Sequence, residues 1–85
     1  MDEEKEFFLS YKTLYGGERL VGPFTARSSV VDVKRTIQAD RNDAPVDRQQ
    51  LIFKRIMMDN RSSLVDYGID EPGLVVHLVM ALRGS

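Results

Sequence analysis

His77-Leu-Val-Met-Ala-Leu-Arg-Gly-Ser85 alternates like a β-strand and then thins into a tail. Val76, Leu78 and Met80 fall on one side of such a strand, and His77, Val79 and Ala81 on the other. The first set suits a core and the second a surface. Arg83-Gly84-Ser85 carries too little side chain to pack. A tail of this kind either frays, as most termini do, or threads into a narrow channel of another protein.

Outward from that strand, the rest of the chain supplies its neighbours. Asp70-Glu-Pro-Gly73 is a turn, with Pro placed before Gly. Residues 64–69 predict a tight helical turn packed by Leu64 and Ile69, with Asp66 and Tyr67 fixing it by hydrogen bonds. Residues 50–54 predict a third strand, followed by a short apolar piece over 56–58 and a polar loop. Ser29 opens a helix: Asp32, three residues on, fits a capping box. Val30, Val33 and Ile37 make its apolar stripe, and Lys34, Arg35 and Gln38 are placed on the wet side. Asn42-Asp43-Ala44-Pro45 ends it. Residues 7–13 alternate as a first strand, with Phe7, Leu9 and Tyr11 on one face. Gly16-Gly17 turns the chain and residues 18–25 return as a hairpin partner, where Gly22-Pro23 predicts an edge strand or a bulge. The order is ββαββ. One helix can cover only one face of such a sheet, so the expected architecture is a two-layer α+β domain with four or five strands.

Composition narrows the function classes. At 85 residues the chain is one domain, with a net charge of −1 that steers it neither to nucleic acid nor to a membrane surface. No cysteine means no disulfide, thiol nucleophile or thiolate metal site, and suits the cytoplasm, the nucleus or both. No apolar run is long enough to span a bilayer. Residues 1–6 read as a short acidic leader, 7–82 as the domain and 83–85 as a flexible tail. The lone His77 has no Ser, Asp or Cys at triad-like or metal-like spacing, so it is read as an exposed contact residue, with no cofactor and no metal expected. Met57 and Met58 are read as gap-filling core or a soft contact surface. Lys54 and Arg55 with Arg48 are read as a small basic cluster on a solvated face, placed to rim a contact surface for acidic partners.

Leu51 faces inward in this register, so Ile52 faces out, as do His77 and Val79 on the last strand. Where those two strands are neighbours, Ile52 and Val79 make an exposed apolar patch beside His77, with Leu14 of the hairpin turn at its rim.

Several segments together resemble ubiquitin and its relatives: Lys12-Thr13-Leu14 with Gly16, Val33-Lys34 with Ile37-Gln38, Gln49-Gln50-Leu51-Ile52-Phe53, Leu64 with Asp66-Tyr67 and Ile69, His77-Leu78-Val79, and Leu82-Arg83-Gly84. The resemblance implies a ubiquitin-like β-grasp fold, a mixed sheet curled over one helix. It implies that Leu14, Ile52, His77 and Val79 form the surface gripped by ubiquitin-binding helices. The expected function is therefore a monomeric, non-enzymatic protein-interaction domain of the ubiquitin pathway, bound by ubiquitin-receptor, proteasome or unfoldase-type partners. Ser85 stands where conjugated relatives end in glycine, which argues against conjugation as the chain stands. Ala81 resembles the neddylation modifier, and with Leu82, Arg83, Gly84 and Ser85 keeps the alternative open: a modifier joined to substrate lysines by activating and conjugating enzymes after maturation. Ile56 and Glu71 occupy positions of the main chain-forming lysines of ubiquitin, and only Lys12 and Lys34 fall on ubiquitin lysine positions, so standard polymeric chains are not expected.

Overall fold

The structure, a computed structural model, describes residues 5–14 and 16–81. The parts of the leader and tail at 1–4 and 82–85, including Leu82, Arg83, Gly84 and Ser85, lie outside the described residues. Five strands, β1 (Phe7–Thr13), β2 (Glu18–Phe24), β3 (Gln49–Phe53), β4 (Ile56–Met57) and β5 (Val75–Met80), form one sheet in the order β2-β1-β5-β3-β4. Among the described residues a single α-helix, α1 (Val30–Asp40), lies between β2 and β3 in the chain. The central pair, β1 and β5, is parallel, and the other pairings are antiparallel. This is the mixed-sheet β-grasp.

Alternation decides which side chains enter the core. Phe7, Leu9 and Tyr11 of β1, Leu51 and Phe53 of β3, and Val76 and Leu78 of β5 are buried against Val30, Val33 and Ile37 of α1. Burial on this scale is the main source of stability for so small a domain. The Gly22-Pro23 expectation is met twice over. β2 is an edge strand, and its register with β1 shifts between Phe7, opposite Phe24, and Leu9, opposite Val21. Gly22 is required there: its φ is +144°, and a Cβ would sit 3.2 Å from the Phe7 carbonyl oxygen and Phe8 Cα.

Half of the expected capping box forms at the start of α1. The Ser29 hydroxyl accepts from the Asp32 backbone N–H at 3.2 Å, while the Asp32 carboxylate accepts from Arg35 at 3.4 Å. The expected loop turn is a 3-10 turn, Leu64–Tyr67, with Leu64 and Ile69 buried. Asp66 accepts from the Ser63 N–H at 2.9 Å, and the Tyr67 hydroxyl accepts from the Asp59 N–H at 2.8 Å. The turn is tied to the entry of α1, since Leu64 N–H donates to Ser28 O and Val30 N–H to Ser62 O, each at 2.9 Å.

Lys34 corrects the sequence reading. It is only 6% exposed, and its ammonium donates to Asn60 Oδ1 at 2.6 Å. Positions 30, 33, 34 and 37 follow the i, i+3, i+4, i+7 period of a core-facing stripe, so geometry carries Lys34 inward despite its charge. Its long apolar stem packs inside and its head reaches the loop. Burial pushes its pKa down, and the nearby Asp59 carboxylate opposes that shift.

Candidate protein-binding site

α1 covers one face of the sheet and leaves the other bare. On that bare face the pairing registers line up Lys12, His77, Ile52 and Met57 in one row across β1, β5, β3 and β4. Neighbouring strands are ~4.8 Å apart, so Ile52 stands one strand spacing from both His77 and Met57. Val79 is two residues along β5 from His77, opposite Gln50 and diagonal to Ile52. Diagonal neighbours in an antiparallel pair lie within ~7–8 Å, within reach of one partner side chain. His77 is exposed, and Ile52 and Val79 are half-buried.

Leu14 stands apart from this row. It follows the end of β1, is 75% exposed, and lines a cleft of 550 Å³ with Thr13, Arg41, Arg48, Leu78 and Met80. Leu78 belongs to the opposite, core-facing side of β5. The hairpin turn therefore places Leu14 at the cleft, exposed to solvent.

Met57 is the residue whose position the sequence left open. The two adjacent methionines separate cleanly: Met58 is buried in the core, and Met57 is 58% exposed beside Ile52. The sequence signal is the alternation of Ile56, Met57 and Met58, in a strand of only two residues. Phe8 and Leu20 are also exposed, and Leu20 and Val75 flank Ser10 in a second row on β2, β1 and β5.

The basic cluster does not assemble. Arg48 precedes β3 whereas Lys54 and Arg55 follow it, so the five-residue strand separates them by roughly 20 Å. Arg48 instead fixes the exit of β5: its Nε donates to Ala81 O at 3.2 Å, and Ala81 N–H donates to Arg48 O at 2.7 Å. Lys54 and Arg55 form the turn into β4 with φ of 53° and 71°, and Lys54 Nζ lies 5.3 Å from the centre of the Phe53 ring. Lys34 is 6% exposed and its ammonium is tied to Asn60, so the side chain does not extend freely from the surface. Among the described residues no three His, Asp or Glu side chains converge as a metal site requires.

A five-stranded mixed sheet with parallel first and last strands, one helix on one face and a part-apolar bare face on the other defines a ubiquitin-like domain. The ubiquitin family model matches residues 12–83, and the chain belongs to the ubiquitin family. It is similar to the UBL domain of Plasmodium falciparum Dsk2, known from a crystal structure, with 31% identity and a TM-score of 0.77 over 91% of this chain and 100% of that one.

Proposed function

We propose that this domain works by being bound, through the patch centred on Ile52 and completed by His77, Val79 and Leu14, to helical receptors of ubiquitin-like domains such as those of proteasomal or unfoldase assemblies. The observation that carries this reading is the cross-strand pair Ile52–His77 on the uncovered face, with Val79 diagonal to it. The similarity to a UBL domain supports it. A patch of this size buries less than a standard interface, so each contact should be weak, with Kd on the order of 10 µM to 1 mM. Titration of the labelled domain with a synthetic ubiquitin-binding helix, followed by NMR, tests the reading. Ile52→Ala should lower affinity at least ~tenfold, because a central apolar anchor is worth ~1–3 kcal/mol. Unchanged affinity with the fold intact would remove the patch from the account.

A second reading, a modifier joined through Gly84, is favoured by the sequence Ala81-Leu82-Arg83-Gly84. A denaturing immunoblot of the native source separates the two. A spread of higher-mass bands that collapses on isopeptidase treatment supports conjugation, and one discrete band supports the bound domain.

A further inference from the structure

The geometry points to Met57 on the edge strand β4 as a specificity-determining residue of the same patch, one that selects partner helices carrying a third apolar anchor. This inference rests on the reading of the Ile52 patch and extends it beyond the four positions that the family resemblance supplies.

Met57 is directly opposite Ile52 in the β3–β4 ladder, and Ile52 is directly opposite His77 in the β3–β5 ladder. All three are on the uncovered face, and Met57 is 58% exposed. From His77 to Met57 is two strand spacings, ~10 Å. A helix rises ~1.5 Å per residue, so ~7 residues cover that distance. A helix laid across the strands then sets side chains i, i+4 and i+7 over β5, β3 and β4. The first meets His77 and Val79, the second Ile52 and the third Met57. An unbranched thioether adapts its shape to the side chain it meets, so the third contact tolerates several apolar anchors and disfavours a polar one.

Charge flanks the row at both ends. Exposed Lys12 stands opposite His77 at the β1 end, and exposed Arg55 lies in the turn that leads into β4. The partner therefore carries acidic residues at both ends. The occupant is an amphipathic helix of at least two turns, with apolar residues at i, i+4 and i+7 and carboxylates just before i and just past i+7. Ile56 supplies the internal control. It pairs with Phe53, whose side chain is in the core, so it leans to the opposite side of β4 although it is equally exposed.

The test uses two synthetic helical peptides with glutamates before i and past i+7. One carries leucine at i, i+4 and i+7, and the other has alanine at i+7. Affinities are measured for the wild-type domain and for Met57→Gln, Ile56→Gln and Ile52→Ala, each checked for an intact amide spectrum. Met57→Gln should weaken the three-leucine peptide about fivefold and leave the alanine peptide within about twofold, the coupling that direct contact gives. Ile56→Gln should leave both peptides within about twofold, while Ile52→Ala should weaken both about tenfold. Equal binding of the three-leucine peptide to wild type and Met57→Gln, with Ile52→Ala still weakened, overturns the role of Met57 and spares the patch. No effect of Ile52→Ala overturns both.

Discussion

Replacing Lys34 by methionine should stabilise the domain. The position is 6% exposed, so the wild-type fold carries an ammonium out of bulk water. Desolvation of a buried cation costs several kcal/mol after relaxation. What offsets it is one hydrogen bond of 2.6 Å to Asn60 Oδ1, together with the field of Asp59. A hydrogen bond to a charged group contributes ~1.5–3 kcal/mol. The lowered pKa of Lys34 says that burial outweighs the field of Asp59. Methionine has nearly the same length and keeps the apolar stem in place. Asn60 is exposed and recovers its lost bond from water. The net expectation for Lys34→Met is a gain of ~1 kcal/mol, which in a domain this size raises Tm by ~4–8 °C. Lys34→Ala, which also empties the stem's volume, should lose ~2–3 kcal/mol.

Denaturant melts at pH 7 measure both variants, and a pH series checks the cause. The folded pKa of Lys34 lies below its unfolded value, so above it the unfolded chain holds more protons than the native one. Wild-type stability from this group then rises with pH, and the advantage of Lys34→Met shrinks as pH climbs through the alkaline range. Destabilisation of Lys34→Met by more than ~1 kcal/mol would refute the reasoning, because the Asn60 and Asp59 contacts would then outweigh desolvation.

Two further outcomes follow from buried or paired polar groups. Gln49 is buried, and its amide nitrogen donates to Lys34 O and Ala44 O, each at 2.8 Å, so Gln49→Met should lose ~2 kcal/mol by leaving both carbonyls short of a donor; a urea midpoint equal to wild type would show that water replaces the amide. The Asp40 carboxylate is held below the usual carboxylate range by the Tyr11 hydroxyl and then by Arg19, and Asp43 is held down by Arg41. Their contribution is complete above the unfolded value of ~3.9 and is lost as pH falls through the folded pKa values. Stability should therefore decline below about pH 4, and Asp40→Asn should lessen that decline. Parallel acid profiles for wild type and variant would show that Asp40 has no part in it.

The elements whose reading needs only local pattern were legible. Alternation in β1 and β5, the Val30, Val33, Ile37 stripe and the Leu64–Ile69 turn place the residues they name in the core, except Met80, which is half-buried against its edge. Lys34 departs from the wet side because period outweighs charge there: its i+4 spacing from Val30 sets it on the inner stripe. Arg48 is near Lys54 and Arg55 in sequence but not in space, because the extended β3 lies between them. The outward faces of Ile52, His77 and Val79 followed from parity, but the row through Met57 needs the registers of three pairings, which no local pattern encodes. Leu14 shows the same limit: parity stops at the end of β1, and a turn residue's neighbours depend on the loop's path.

The parallel pairing of β1 with β5 has a mechanical consequence. Ser10, Tyr11, Lys12 and Thr13 run in the same direction as Val75, Val76, His77 and Leu78 in the middle of the sheet. A pull on the chain before β1 and after β5 slides these strands lengthwise past each other. The hydrogen bonds between them then share the load and must fail together, whereas a hairpin pulled from its open end would unzip one bond at a time. A motor that grips the segment after β5 therefore meets its greatest resistance at the first step. Such a domain can be held firmly against a pulling machine without being drawn into it.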